Sequence, residues 1–121
     1  MSDEASWPAE IRVSPDKKTL TLKFYDGSSA SFTAEFLRVH SPSAEVQGHS
    51  REQKQIVSGK QSVAIMKIEP VGNYAVRISF DDMHNTGLFS WAYFHEMADR
   101  QDELWTAYLA ELEDKGLRRS R

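Results

Sequence analysis

The sequence predicts an α+β domain: a mainly antiparallel β-sheet, a short helix after the first three strands, and a long C-terminal helix packed on the sheet. Three observations carry this. Thr19 to Phe24 and Tyr74 to Phe80 alternate apolar and polar residues, the mark of half-buried strands. Asp26-Gly27, between two such runs, is the strongest hairpin signal in the chain. After Ser90, residues Phe94, Met97, Leu104, Trp105, Tyr108, Leu109 and Leu112 recur at helical spacing and make one apolar stripe.

Each element has its own justification. Residues 1–8 form a polar lead-in that ends in Trp7-Pro8, and residues 9–116 form a single domain. Glu10 to Val13 is a short strand with Ile11 and Val13 inward, closed by the turn Ser14-Pro15-Asp16-Lys17. Thr19 to Phe24 buries Leu20, Leu22 and Phe24, and Ser28 to Phe32 is the return strand. A two-residue Asp26-Gly27 loop would turn Phe32 away from that apolar face. A three-residue loop, Tyr25-Asp26-Gly27, pairs Leu20 with Phe32 and Leu22 with Ala30, so burial predicts the longer loop with Gly27 left-handed.

Thr33 then caps a short helix to Val39. From His40 to Lys60 the chain is polar without a sustained period, a long loop of the kind that is often functional. Val63 to Ile68 is a strand, Glu69 to Asn73 a turn, and Tyr74 to Phe80 the central strand with Tyr74, Val76, Ile78 and Phe80 on one face. An acidic, histidine-bearing turn runs from Asp81 to Gly87. Ser90 caps the C-terminal helix, which bends near Ala98-Asp99 and ends at Gly116. Its stripe is expected in the core, with Trp105→Ala costing about 3–5 kcal/mol. Residues 117–121 form a basic tail, expected to be solvated and frayed.

Composition excludes several functions. The chain has 121 residues, 40% of them hydrophobic, which suits one packed domain rather than a disordered segment. A net charge of −3 does not invite nucleic acid or an anionic membrane. There are no cysteines, so disulfides and thiolate metal or redox sites are excluded. The start lacks the basic and apolar regions of a signal peptide, and no apolar run approaches the roughly 20 residues of a membrane span. A cytoplasmic location is expected.

Candidate chemistry is sparse. His95 falls on the C-terminal helix as a surface or boundary residue. His40, His49 and His84 lie in loops and, with nearby carboxylates, could hold zinc or iron, though no tight ligand spacing accompanies them. Ser41 and Ser43 near His40 lack a nucleophile elbow or an oxyanion glycine run. Asp81 and Asp82 are adjacent and expected to point to opposite faces as turn residues. Tyr74, Phe89, Trp91 and Tyr93 suit either a small-molecule pocket or the core.

Three ordered blocks carry a resemblance: Leu37 to His49, Ile68 to Val76, and Phe80 to Trp91. Together they resemble the gamma-butyrobetaine hydroxylase-like N-terminal domain family, more narrowly its small stand-alone bacterial members of unknown function. The likeness spans about residues 8 to 112. In the hydroxylases this domain carries a structural zinc held by a Cys-x-Cys-x-x-Cys segment and a histidine. The cysteine positions fall here on Ser41, Ser43 and Val46, while the histidine is His84. Serine hydroxyls are poor zinc ligands and valine is none. The resemblance therefore implies a degenerate zinc site, with no metal or other cofactor expected.

These 121 residues leave no room for the family's oxygenase domain, so hydroxylation is not expected. Related domains fused to iron–sulfur cluster carrier ATPases imply an accessory module. The expected function is thus non-catalytic binding of another protein. Its candidate surface comprises Arg38, His40, Ser41, Ser43, Glu45, His49, Tyr74, Asp81, His84, Thr86 and Trp91. Two rival readings remain open: a zinc or iron site from His84, His40 and His49, linked to oxidoreductase or iron–sulfur cluster proteins, and a small-molecule sensor using Tyr74 and Trp91.

Overall fold

A computed structural model describes residues 7–42, 57–82 and 87–120. Strands β1 (Pro8–Val13), β2 (Thr19–Phe24) and β3 (Ser29–Thr33) form one antiparallel sheet in that order. Helix α1 (Ala34–Val39) follows directly. Strands β4 (Ile65–Val71), β5 (Ala75–Phe80) and β6 (Gly87–Ser90) form a second antiparallel sheet with β5 central. Helices α2 (Trp91–Asp99) and α3 (Gln101–Asp114) complete the chain.

The β2–β3 register is the one burial demands. Leu20 lies opposite Phe32 and Leu22 opposite Ala30, while Gly27 takes φ 91° in a three-residue loop. Leu20, Leu22, Phe24 and Phe32 are all buried in consequence. Both sheets share one core, in which these residues meet Ile65, Val76, Ile78, Phe80 and Phe89. Phe36 and Leu37 of α1 and Phe94 and Met97 of α2 close it.

Helix ends follow their sequence signals. Thr33 Oγ1 accepts from the Phe36 amide at 3.0 Å, and Ser90 Oγ from the Tyr93 amide at 3.0 Å. At the far end, Gly116 is left-handed at φ 66°. Its amide donates to Glu113, and the Leu117 amide to Leu112, a Schellman closure.

Several expectations are corrected. The C-terminal helix is two helices, because the chain leaves helical geometry at Arg100 (φ −116°, ψ 18°) after an α2 end whose amide still reaches Glu96. Gly87, expected to end a turn, instead opens a strand to Ser90 that pairs with β5, Val76 opposite Phe89. The strand expected from Val63 to Ile68 starts at Ile65 and runs through the expected Glu69–Pro70 turn to Val71, and the chain reverses at Gly72 (φ 59°). Tyr74 sits in that reversal, 54% exposed, and Ala75 is buried in its place. Ile11 is not inward either. β1 is an edge strand, and Ile11 faces a groove described below. Leu109 lies off the buried face of α3.

The tail is tied down rather than frayed. Gly59 and Gln61 amides donate to the Arg118 and Arg119 carbonyls at 2.9 and 3.0 Å. The Arg119 guanidinium stacks 5.1 Å from the Trp105 ring centroid. Trp105 is half-buried and packs on Phe36 and Tyr108 rather than on the sheet alone. Trp105→Ala is therefore expected to cost about 3 kcal/mol, the low end for a large aromatic, in chemical denaturation. A protein melting within a degree or two of the parent would show that this contact contributes little.

Candidate functional site

The site is built on α1. All six of its residues are buried, among them two charged ones, Glu35 and Arg38, at 5% and 3% exposure. Charges at that depth require partners, and these come from far along the chain. Glu35 receives a two-pronged contact from Arg119, Nη2 to Oε1 at 2.8 Å and Nε to Oε2 at 3.0 Å. Arg38 Nε donates to Asp82 Oδ2 at 2.8 Å, and Lys60 Nζ donates to the same oxygen at 2.6 Å. One carboxylate thus joins α1, the segment before β4, and the end of β5.

The residues around this cluster are equally fixed. His40 Nδ1 lies 3.0 Å from the Phe36 carbonyl, and its ring packs on Phe36 and Tyr108. The His40 carbonyl accepts from the Tyr93 hydroxyl. Ser41 is fully buried. A Cβ placed on Gly87 would lie 2.2 Å from Ser41 Oγ and 3.1 Å from the Phe89 ring, so this glycine is required by close approach. The Tyr108 hydroxyl donates to the Val57 carbonyl at 2.7 Å.

Burial dominates the electrostatics. It pushes the Tyr93 phenol up to about 12, aided by the Glu96 charge. The Tyr108 phenol also rises to about 12, by burial and then Glu35, with Arg119 opposing. Both are held neutral, as hydroxyl donors.

Of the expected surface, the structure sets Arg38 against Asp82 and Ser41 against Gly87, with His40 between them in sequence. Asp81 itself is a strand clamp, exchanging hydrogen bonds with the Ala64 backbone. Ser43, Glu45, His49, His84 and Thr86, and with them Val46, lie outside the described residues. Among the described residues no three metal-ligating side chains converge. His95 is a boundary residue whose ring packs, tilted, on Phe24 with centroids 4.2 Å apart.

Tyr74 and Trp91 belong elsewhere. The Tyr74 carbonyl accepts the Trp91 amide, and Trp91 Nε1 donates to the Asn73 carbonyl at 2.9 Å. Trp91 lines a groove of about 520 Å³ between edge strands β1 and β4, with Ile11, Val13, Ile65, Met66 and Ile68. Lys17 and Lys67 also line it, and among the described residues no carboxylate does. Sequence reasoning missed Lys60, the pairing roles of Asp82 and Tyr93, and this groove. The signal that could have found the groove is Met66 and Ile68 on a strand that also carries Lys67 and Pro70, the residues of an edge.

The fold and its site define a small α+β domain with a buried ionic junction and an apolar groove. Residues 11–95 match the family described as gamma-butyrobetaine hydroxylase-like, N-terminal, and the chain belongs to that family. Two solution NMR structures are similar over nearly the whole chain. One is 48% identical with a TM-score of 0.79, covering 94% of this chain and 90% of the other. The second is 39% identical with a TM-score of 0.79, covering 98% and 90%. A crystal structure of a protein of unknown function in the DUF971 family, from Acidithiobacillus ferrooxidans ATCC 23270, is 37% identical. Its TM-score is 0.66, with 80% of this chain and 98% of that one covered. Comparison with curated proteins returns no match. No helix of the described residues is long and apolar enough to cross a membrane.

Two expected outcomes follow from this geometry. Gly87→Ala should lower stability by about 1–3 kcal/mol, the cost of overpacking. Ser41→Ala in the same background should recover part of that, since the Ser41 Cβ would stay 3.4 Å away. An unchanged denaturation midpoint in Gly87→Ala would show that the two segments do not meet as described. The second concerns pH. Because both tyrosine values rise in the fold from 10 to about 12, their contribution is complete below pH 10 and lost as pH climbs to about 12. Stability measured across that window should fall, and fall less steeply in a Tyr93→Phe, Tyr108→Phe double variant. Equal slopes would contradict the burial of these hydroxyls.

Proposed function

We propose that this chain is a non-catalytic accessory domain that docks on another protein, with the zinc site of its family degenerate. The observation that carries this reading is the groove between β1 and β4. Among the described residues its lining offers apolar side chains and two lysines, with no histidine, hydroxyl or carboxylate among them. The ionisable groups at the α1 junction support it. Asp82 is committed to Arg38 and Lys60, and Glu35 to Arg119, so these charges hold structure together.

The degenerate zinc site rests on donor chemistry. The chain has no thiol. Ser41, at one of the family's cysteine positions, is a neutral hydroxyl packed against Gly87, and such oxygens are poor zinc ligands. His40 has one ring nitrogen at the Phe36 carbonyl and its ring between two aromatic side chains. The donor set does not fit the family's tetrahedral zinc.

Two experiments test the reading. A photo-crosslinker at Met66, activated in the native cell, should give a discrete protein adduct that a crosslinker at Glu111 does not. Adducts equal at both positions, or none at Met66, would refute docking at this face. Protein purified without a His tag or chelator should carry no stoichiometric zinc or iron, and its melt should ignore added chelator. Stoichiometric metal, with a chelator-sensitive melt abolished by His84→Ala, would establish the rival metal reading instead.

A further inference from the structure

The groove also says what kind of segment fits it, an inference that rests on the docking role proposed above. At one end the two sheets are joined where the Lys17 carbonyl accepts the Ile65 amide at 2.8 Å, beside Val13. From there β1 and β4 run to a mouth lined by Pro8, Pro70 and Trp91. Met66 is 70% exposed and Ile11 36%. These apolar side chains, displayed around a concavity, give the apolar residues of a partner a surface to pack on.

Two occupants could use such a cleft, an added β-strand or the apolar face of a helix. Strand addition needs a regular free edge, and both edges here are blunted. β1 carries an irregularity between Pro8 and Glu10, and β4 one between Ile65 and Lys67. Pro70 lacks an amide, and Lys67 puts a charge on the same strand. A strand would find few regular backbone partners, whereas side chains need none.

Charge selects further. The chain is acidic overall, at −3, yet among the described residues the charges lining the groove are those of Lys17 and Lys67. Lys67 reaches Glu69 at 3.4 Å with both side chains well exposed, a weak pair. Lys17 has no ion-pair partner among the described residues. It also holds φ 66°, a left-handed conformation that costs a side-chain-bearing residue stability where glycine would be at ease. Lys17 thus presents its charge to the groove from a strained turn.

We propose that the β1–β4 groove receives an amphipathic helix of a partner protein, apolar face on Ile11, Met66 and Trp91, with a carboxylate at Lys17. The occupant is an acidic helix.

The test is an NMR titration read at the Met66 methyl and the Trp91 indole N–H. The probes are three synthetic peptides with one leucine stripe: glutamate-flanked, lysine-flanked, and glutamate-flanked with a central proline that breaks the helix. The first should give saturable shifts at both reporters, weakened by added salt. The second and third should bind at least about tenfold more weakly. Lys17→Gly is the discriminating variant, since glycine suits the turn: it should keep or raise stability while reducing affinity for the glutamate peptide. Met66→Glu, at an exposed position, should reduce it about tenfold. Equal binding of the two charge types, or undiminished binding of the proline peptide, would overturn the proposal. So would shifts at Lys60 in place of Met66, or peptide-free shifts that grow with protein concentration, which would make the groove a self-association face. If Met66 still crosslinks a protein in the cell while no acidic helix binds, this inference fails and the docking role stands. If no crosslink forms, the docking role fails first.

Discussion

Two charges on a fully buried helix govern this fold. A six-residue helix has no independent stability, because nucleation is costly and one or two turns repay little of it. α1 exists because every one of its faces is packed. That packing takes Glu35 and Arg38 out of water with the apolar residues, and desolvation forbids leaving either charge unmatched. Their separation of three positions would suggest a pair within the helix. Each instead points to a distant segment, Glu35 across 84 positions to Arg119 and Arg38 across 44 to Asp82. The need to neutralise α1 thus decides which remote pieces of chain close over it.

The closure has consequences along the molecule. Asp82 at the end of β5 is drawn to α1, and with it Lys60 from the chain that precedes β4. Arg119 brings the C-terminal residues across Trp105, and their carbonyls secure the Gly59–Gln61 stretch. Removing one member of such a pair leaves a buried charge uncompensated, at a cost of about 3–5 kcal/mol. These contacts are therefore structural commitments. They also explain how two separate three-stranded sheets form one core: helices and ion pairs bridge what the ladders do not.

What the residues disclosed follows the range over which each signal acts. Local signals were legible. Thr33, Ser90 and Gly116 mark helix ends through bonds to atoms three to five positions away, and the β2–β3 register follows from a choice between facing Phe32 inward or outward. Nonlocal geometry was not. β6 is four residues long, too short for a period, and is a strand because β5 lies beside it. Ile11 alternates correctly, yet an edge strand can turn its apolar face to a groove as readily as to a core. The stripe through Arg100 counts as continuous even though the backbone breaks there. In the candidate site, Arg38, His40 and Ser41 were grouped as part of a binding surface, whereas Arg38 and Ser41 are buried. Their pairings with Asp82, Lys60 and Tyr93 were not legible, since nothing in a lone aspartate, lysine or tyrosine records a neighbour dozens of positions away.

The junction and the groove are connected by one short element. Gly87 begins β6 against Ser41, and Trp91, the residue after its end, lines the groove. Between them Phe89 is fully buried and stacks on Phe94, while Ser90 caps α2. A strand held at one end by a glycine with no room for a methyl, and in the middle by a core phenylalanine, gives Trp91 little freedom. The indole is fixed further by its hydrogen bond to Asn73. An aromatic side chain held in place before an encounter loses little entropy on contact, which is the condition under which a small apolar surface supports useful affinity. The close approach at Gly87 and the burial of Phe89 thus fix the strand that leads to Trp91, the large aromatic among the groove's described lining residues.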